Sequence, residues 1–133
     1  MITDLGRIVT DHRVGHFHNK KHIFPVGFKS ERMFLDCQKP ESGEKIKYFS
    51  EIVDTGGDFP VFRVRCDKYP NLKFLSATAA GAWNRVIESI KMRKKDLGSS
   101  KINGHEIFGY GNKTVKKLYE KLPGFDRCVK LQN

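Results

Sequence analysis

The segment FPVFRVRC (59–66) alternates between apolar and basic residues over its second half. Successive side chains of a strand point to opposite faces, so Phe62, Val64 and Cys66 share one face and the two intervening arginines share the other. Such a strand is half-buried. The sheet that contains it must therefore have one face covered by other elements of the chain.

Other segments of the first half are also predicted to be strands. LGRIVT (5–10) is a short apolar run, the residues from Ser30 onward include the apolar MFL (33–35), and KIKYFSEIVD (45–54) has a β pattern. The cluster QKPESGEK (38–45) is predicted to be the turn of a hairpin, because Pro, Ser and Gly favour turns. A second cluster, DTGGD (54–58), ends the following strand.

The second half is predicted to supply the covering layer. ATAAGAWNRVIESIKMRKKDL (77–97) indicates a helix, with Ser76 or Thr78 able to cap its first turn. Its apolar residues recur at the spacing of one helical face. The predicted buried stripe consists of Trp83, Val86, Ile87 and Ile90.

A second helix is predicted over roughly residues 113–122, ended by Pro123 and Gly124. Its predicted buried stripe is Val115, Leu118, Tyr119 and Leu122. The tail FDRCVKLQ (125–132) is expected to return as a short strand. Strands followed by helices predict an α+β fold, an antiparallel sheet packed with two helices.

Charge is the strongest signal in the composition. The 133 residues include 25 Lys and Arg against 15 Asp and Glu, a net charge of +10. This balance favours acidic partners, namely nucleic acid, an acidic protein tail or an anionic surface, and does not choose among them. No apolar run approaches the roughly 20 residues of a membrane span, and the N-terminus lacks the apolar core of a signal peptide, so we expect an intracellular protein without a membrane partner.

A candidate basic surface is predicted on the two helices. It consists of the side chains of Lys91, Arg93, Lys94, Lys95, Lys113, Lys116 and Lys117. One interpretation is a solvated face that keeps the protein soluble. The other is contact with DNA phosphates or with an acidic protein segment, which for DNA would be salt-sensitive and independent of base sequence.

Metal and catalytic sites have little support in the sequence. The histidines at 12, 16, 18 and 22 are close together but lack carboxylate or thiolate neighbours, so a solvated or DNA-facing loop is favoured over a zinc site. The cysteines at 37, 66 and 128 are far apart and are expected to be small core residues. A nucleophile elbow, an HExxH helix and a complete phosphate loop are all missing. We therefore expect no enzyme activity, no cofactor and no small-molecule substrate.

The order of several short motifs resembles a known family. LGRI (5–8), Phe17-His18 and IFPVGF (23–28), followed by Ser30, Arg32 and Phe34, resemble the FYRN motif of chromatin-associated proteins. A second set of residues, further along the chain, resembles the companion FYRC motif. It consists of PVFRV (60–64), Leu72, Phe74, Ser76, Trp83, Gly104, FG (108–109), Val115, Leu118, LPG (122–124) and Cys128. Phenylalanines stand at 24, 28 and 34 where relatives commonly have tyrosine, and Leu131 precedes Gln132 where an aromatic residue is common.

The resemblance implies that the whole chain, residues 1–133, is a single FYR-like domain. It would consist of an FYRN-like half (5–36), a hairpin connector (37–58) and an FYRC-like half (59–132). The implied function is a non-catalytic, nuclear module that binds protein subunits and scaffolds or recruits a histone-modifying or chromatin-remodelling complex. The alternative is a nonspecific nucleic-acid-binding protein that uses the basic helix face; weak DNA binding is compatible with both.

The aromatic stretch IFPVGF is too punctuated by Pro25 and Gly27 to be a regular central strand. It is predicted to be a bent strand that joins one half of the module to the other. Its aromatic residues either fill the core or form an exposed groove for a partner, and in a two-part module these are the same surface. The residues predicted for this half-to-half or partner interface are Phe24, Val26, Phe28, Phe34, Phe62, Trp83 and Phe108.

Overall fold

The computed structural model describes residues 1–93 and 107–132. Within these residues, five strands form one antiparallel sheet whose spatial order is the chain order. The strands are β1 (Ile2–Asp4), β2 (Lys29–Leu35), β3 (Lys45–Val53), β4 (Val61–Cys66) and β5 (Lys73–Ser76). The helices α1 (Ala79–Lys91) and α2 (Lys113–Tyr119) follow, and the α+β prediction is confirmed. Short 3-10 helices span Val14–His16, Pro40–Ser42, Phe125–Arg127 and Val129–Gln132.

The register of the strands separates a buried face from an open one. β2 pairs with β3 from Lys29 opposite Glu51 to Leu35 opposite Lys45, and β3 pairs with β4 from Tyr48 opposite Cys66 to Val53 opposite Val61. Directly opposed residues share a face of the sheet. The inward face is therefore built from the following residues, all of them buried: Ile46, Tyr48, Ser50, Ile52, Phe62, Val64, Cys66 and Phe74. Of these, the alternation of the sequence predicted Phe62, Val64 and Cys66.

Helix α1 covers this inward face. Thr78 has an extended backbone and its hydroxyl accepts a hydrogen bond from the Gly81 amide, so Thr78 is the N-cap. Ser76 is instead the last residue of β5. The predicted stripe is buried: Trp83, Val86, Ile87 and Ile90. The last predicted helical residues, 94–97, lie outside the described part of the chain.

Three predicted strands are wrong: residues 5–10, the C-terminal tail (125–132) and the IFPVGF stretch (23–28). Residues 5–10 form no ladder; only Arg7 makes an isolated bridge, with Val26. The cause is local, because the Asp4 carboxylate accepts a hydrogen bond from the Gly6 amide and Gly6 has a positive φ of 74°. The apolar residues of this run, Ile8 and Val9, are buried as loop residues instead.

The C-terminal tail is the second. It forms the 3-10 helices Phe125–Arg127 and Val129–Gln132 instead of a strand. Amide-to-carbonyl bonds three residues apart, such as Cys128 to Phe125, satisfy its backbone locally. The strand β5 was not predicted, because KFLS is too short to show a periodicity.

Helix α2 ends earlier than predicted. Its described range stops at Tyr119, and Val115 and Tyr119 are its buried residues. Leu118 was predicted to be buried but is 41% exposed. Val115 and Tyr119 are four residues apart and define the buried line, and Leu118 lies at its margin.

All three cysteines are buried free thiols, as expected for core residues. Burial raises the pKa of the Cys66 thiol to about 11 and also raises that of Cys128, which keeps both thiols protonated near neutral pH. Within residues 1–93 and 107–132, no helix has the length and apolar character needed to cross a bilayer.

The hairpin between β2 and β3 is held by one buried carboxylate. Asp36 is fully buried and accepts hydrogen bonds from the amides of Gln38 and Lys39, from Lys68 Nζ at 2.8 Å and from the Tyr69 hydroxyl at 2.8 Å. Burial alone would raise its pKa, but these bonds outweigh burial and lower the pKa to about 2.

This carboxylate is expected to make part of the stability acid-sensitive. Because the folded pKa lies below the ordinary value near 3.9, the stabilisation is complete above that value and is lost as the pH falls toward 2. Asp36→Asn is expected to cost on the order of 2 kcal/mol at neutral pH, and less at pH 2. Urea unfolding of both proteins from pH 7 to 2 measures the difference, and parallel profiles would contradict the assignment.

Candidate protein-interaction site

Four of the predicted interface residues converge on Tyr110. The ring centroids of Phe24 and Phe28 lie 5.8 and 6.0 Å from that of Tyr110, both edge to face. Phe108 lies 6.1 Å and Phe62 6.3 Å from the same ring. Phe24 and Phe62 also contact each other directly, at 5.5 Å. We call these five residues the Tyr110 cluster.

Two further interface residues form a second cluster around Tyr48. The rings of Phe34 and Trp83 are 5.6 Å apart, and Tyr48 lies 5.3 Å from Trp83 and 6.4 Å from Phe34. The polar atoms are satisfied, because Trp83 Nε1 donates to Ser50 Oγ at 3.0 Å and the Tyr48 hydroxyl donates to the Leu35 carbonyl at 2.6 Å. We call Phe34, Tyr48 and Trp83 the Trp83 cluster.

Both clusters contain a tyrosine that the sequence prediction did not single out. Tyr48 could have been found, because it alternates with Ile46 and Ser50 on the inward face of β3. Tyr110 lies between two glycines in a turn-rich stretch, so neither a strand nor a helix period marks it as buried. Burial raises its pKa above the usual value for tyrosine, and its hydroxyl stays protonated at neutral pH.

The IFPVGF stretch is an irregular connection, so the prediction of a bent strand is wrong. Its two bridges are isolated, and its backbone is bonded to three separate segments. Val26 exchanges both backbone bonds with Arg7 at 2.8 Å, the Phe24 amide donates to Phe17, and the Gly27 amide donates to the Ile52 carbonyl. Gly27 has a φ of 84°, which turns the chain between these partners. Of the predicted interface residues here, Phe28 is fully buried and Phe24 and Val26 are partly buried.

Polar bonds join the first half of the chain to the second. Ser30 Oγ donates to the Phe108 carbonyl at 2.6 Å. The buried His18 has Nδ1 2.7 Å from the Val14 carbonyl, and its Nε2 accepts from the Lys130 amide at 3.2 Å. These two partners fix the tautomer, because Nδ1 must carry the proton. His18 therefore fastens the C-terminal 3-10 helix to the N-terminal loop.

An arginine holds the N-terminal loop to the turn before β4. Arg13 donates to both carboxylate oxygens of Asp54 at 2.8 and 2.9 Å, and to Asp11 and the Gly57 carbonyl. Its guanidinium also lies 5.2 Å from the Phe17 ring. The bond to Arg13 lowers the pKa of Asp54 well below its ordinary range. All three nitrogens and the face of the Arg13 guanidinium are therefore engaged in contacts within the chain.

The other histidines of the N-terminal loop are dispersed. His16 stacks on the exposed Phe59 ring at 4.3 Å, and His22 lies edge to face with Tyr110 at 5.5 Å. Among the described residues, no group of three or more His, Cys, Asp or Glu side chains is placed to hold a metal ion.

The predicted basic surface is seen in part. Lys113 and Lys117 are exposed on α2, Lys116 is partly exposed, and their spacing places them on one side of the helix. At the end of α1, Lys91 is partly exposed and Arg93 donates to Ser89 and, at 3.4 Å, to Gln38 Oε1. Lys94 and Lys95 lie outside the described residues.

The open face of the sheet carries a buried carboxylate that the sequence prediction missed. Glu51 is 5% exposed, and it accepts from Arg63 Nε at 3.0 Å and Arg65 Nε at 2.7 Å, with Lys29 Nζ 3.4 Å away. Burial would raise the pKa of Glu51, but the hydrogen bonds from Arg65 and Arg63 hold it below its usual value. Arg65 also lies over the Phe49 ring at 4.7 Å.

Two known protein families match this chain, each over a different part of it. Residues 1–55 match the family FYRN, described as F/Y-rich N-terminus, and residues 59–133 match FYRC, described as F/Y rich C-terminus. The pairing of β3 with β4 therefore joins the two matched parts, as do the Tyr110 and Trp83 clusters.

Similar proteins are much longer than this chain. Over 97% of the chain it is 29% identical to the histone-lysine N-methyltransferase TRX1 of Oryza sativa, covering 13% of that protein. It is 30% identical to transforming growth factor beta regulator 1 of Xenopus tropicalis, over 98% of the chain and 31% of the relative. It is 25% identical to the histone-lysine N-methyltransferase trr of Drosophila melanogaster, over 86% of the chain and 5% of the relative. The chain thus spans less than a third of each relative.

Proposed function

This chain belongs to the family that combines the FYRN and FYRC segments, and from that membership we propose that it is a non-catalytic protein-interaction module of chromatin. It scaffolds or recruits a histone-modifying or chromatin-remodelling complex in the nucleus, and its partners are protein subunits of that complex. The observation that carries the proposal is the match of nearly the whole chain to a minor part of two histone-lysine N-methyltransferases.

The core geometry of the described residues, 1–93 and 107–132, supports the proposal that the chain is one folded module. In this proposal its halves are the FYRN-like segment at 5–36 and the FYRC-like segment at 59–132, and the hairpin connector at 37–58, which includes β3, links them. Residues 48–53 of β3 pair with the whole of β4 across the matched parts, and Ser30 and His18 add polar bonds between these parts. The Tyr110 and Trp83 clusters, in this proposal, hold the two halves together. Partners then contact surfaces outside these clusters.

The proposal is tested by affinity purification of the tagged chain from its native nuclei, in moderate salt and after nuclease digestion. We expect recovery of methyltransferase, demethylase or remodelling subunits that persists after the digestion. The control is the Trp83→Ala variant, which removes the central side chain of the Trp83 cluster and should recover none of these subunits. Absence of every such subunit from the purified material would contradict the proposed function.

A second candidate function is nonspecific nucleic-acid binding through the basic helix face. It is favoured by the exposed Lys113 and Lys117 on α2 and by the net charge of +10. Phosphate contacts give affinity that falls steeply with salt and does not depend on base sequence. Fluorescence anisotropy with a duplex at two salt concentrations measures this, and a triple change of Lys113, Lys116 and Lys117 to Glu should abolish binding. Unchanged binding by that variant would exclude the α2 face as the nucleic-acid-binding surface.

A further inference from the structure

The open face of the sheet has a strong excess of positive charge. Because directly opposed residues share a face, the register assigns one set of cations to it: Lys29, Lys45, Lys47, Arg63, Arg65 and Lys73. The acidic residues that the paired strands place on this face are Asp4, Glu31 and Glu51, with Asp4 opposite Lys29. Each already has a partner, and the Asp4 carboxylate accepts from the Gly6 amide. Lys47 Nζ is 3.6 Å from Glu31, and Glu51 is bonded to both arginines. The excess charge is therefore available to an anion from outside.

The two arginines at the centre of this face are held in place. Glu51 engages the Nε edges of both guanidiniums, and Phe49 lies beneath that of Arg65. The arginine side chains are still 28% and 30% exposed, whereas that of Glu51 is 6% exposed. A buried carboxylate thus orients two accessible cations and lowers the entropy they would lose on binding a partner.

Apolar residues lie on both sides of the arginine pair. Leu75 is next to Arg63 on β5 and is 47% exposed, and Met33 lies on β2 on the other side of Phe49 and is 53% exposed. By the register, Leu75, Phe49 and Met33 follow a diagonal across the sheet. An exposed mixture of arginine, aromatic and aliphatic groups is typical of protein-binding surfaces.

We propose that this open sheet face binds an extended acidic segment of a partner protein, one with alternate carboxylates flanked by apolar residues. Arg63 and Arg65 are two residues apart, about 6.6 Å along a strand, which is the spacing of alternate side chains in an extended peptide. Carboxylates of the partner pair with the arginines, and its apolar side chains contact Leu75 and Met33. The inference rests on the proposed function, since it names the surface and the chemistry through which the module binds.

A peptide fits this face better than a nucleic acid. Leu75 and Met33 would gain nothing from a charged phosphate backbone, whereas they can contact the apolar side chains of a peptide. A peptide with acidic and apolar residues can contact both the arginine pair and these two apolar side chains. Nucleic-acid binding here is one outcome of the test below.

The first experiment titrates the isotope-labelled chain with a capped synthetic peptide of sequence Leu-Thr-Glu-Thr-Glu-Thr-Leu and follows amide chemical shifts. We expect the largest shifts on β3, β4 and β5 around Phe49, Arg63, Arg65 and Leu75, and none with the peptide that has Gln in place of Glu. Shifts limited to α2, or absent, would overturn the proposal. Tighter binding of duplex DNA with the same shifts would overturn it in favour of a nucleic-acid surface.

Matched charge variants separate this face from general electrostatics. Lys45→Glu with Lys73→Glu changes two exposed lysines of the open face, and Lys113→Glu with Lys117→Glu makes the same charge change on α2. We expect the first pair to weaken peptide binding by about fivefold or more and the second by less than about twofold. Equal effects would show that only net charge matters and would overturn the proposal.

The same variants distinguish failure of this inference from failure of the proposed function. In purification from nuclei, the open-face variant should lose chromatin subunits that the unchanged chain and the α2 variant both recover. If all three recover them equally, the module still recruits a complex and only the assignment of this face is wrong. If the unchanged chain recovers none, the proposed function itself fails.

Discussion

Replacing Trp83 with alanine is expected to lower the free energy of unfolding by about 3–5 kcal/mol. The side chain is fully buried at the contact of α1 with the sheet, and it touches Phe34 and Tyr48. Its removal leaves a cavity and also leaves the buried Ser50 hydroxyl without the indole partner. Urea unfolding followed by far-UV circular dichroism measures the loss.

The control for this prediction is Trp83→Phe, which keeps most of the apolar contact and removes only the indole N–H. We expect a cost of about 1–2 kcal/mol from the lost hydrogen bond and the smaller ring. A loss below about 1 kcal/mol for the alanine variant would mean that Trp83 is not the packing centre of α1.

Replacing Gly6 with alanine is expected to destabilise the chain by roughly 3 kcal/mol or more. Gly6 has a φ of 74°, and a Cβ at this position would lie 2.6 Å from both the Phe28 amide nitrogen and the Val26 carbonyl oxygen. These are backbone atoms of the IFPVGF stretch, so relief requires that stretch to move. The movement would disturb the bridge between Arg7 and Val26 and the packing of Phe28.

Gly43 provides a matched control for the clash. Its φ is 72°, almost the same as that of Gly6, but beyond its chain neighbours no atom lies within 4 Å of the place that a Cβ would occupy. Gly43→Ala should therefore cost only the backbone strain, about 1 kcal/mol. Thermal unfolding of both variants compares the two costs, and equal losses would contradict the close approach at Gly6.

The sequence predicted the elements that have a clear period. The alternation of Phe62, Val64 and Cys66 identified β4, and the spacing of Trp83, Val86 and Ile90 identified the buried face of α1, because burial on one side imposes these periods directly. The strand predictions for residues 5–10 and 125–132 were wrong for the converse reason. Their apolar residues follow no regular period, and the buried ones, such as Val9 and Cys128, are placed by tertiary contacts instead of by a ladder.

The same distinction applies to the candidate sites. Aromatic residues could be predicted as interface residues from their order along the chain, but their convergence on Tyr110 could not, since it joins residues from 24 to 110 through a positive-φ turn and β-sheet pairing. The residues of the open face could be identified only by combining the alternation of β4 with the register of its pairing to β3. Only the register places Glu51 opposite Arg63 and within reach of Arg65.

The α+β class, the family and the inward faces of β4 and α1 could all be read from the sequence, because periodicity and motif order are local properties of the chain. Three features depend instead on the folded chain: which rings meet, which glycine lies against another backbone segment and which cations surround a buried carboxylate. They follow from strand register and from contacts between residues far apart in sequence. A shift of one residue in the pairing of β3 and β4 would move Glu51 to the opposite face and leave Arg63 and Arg65 without it.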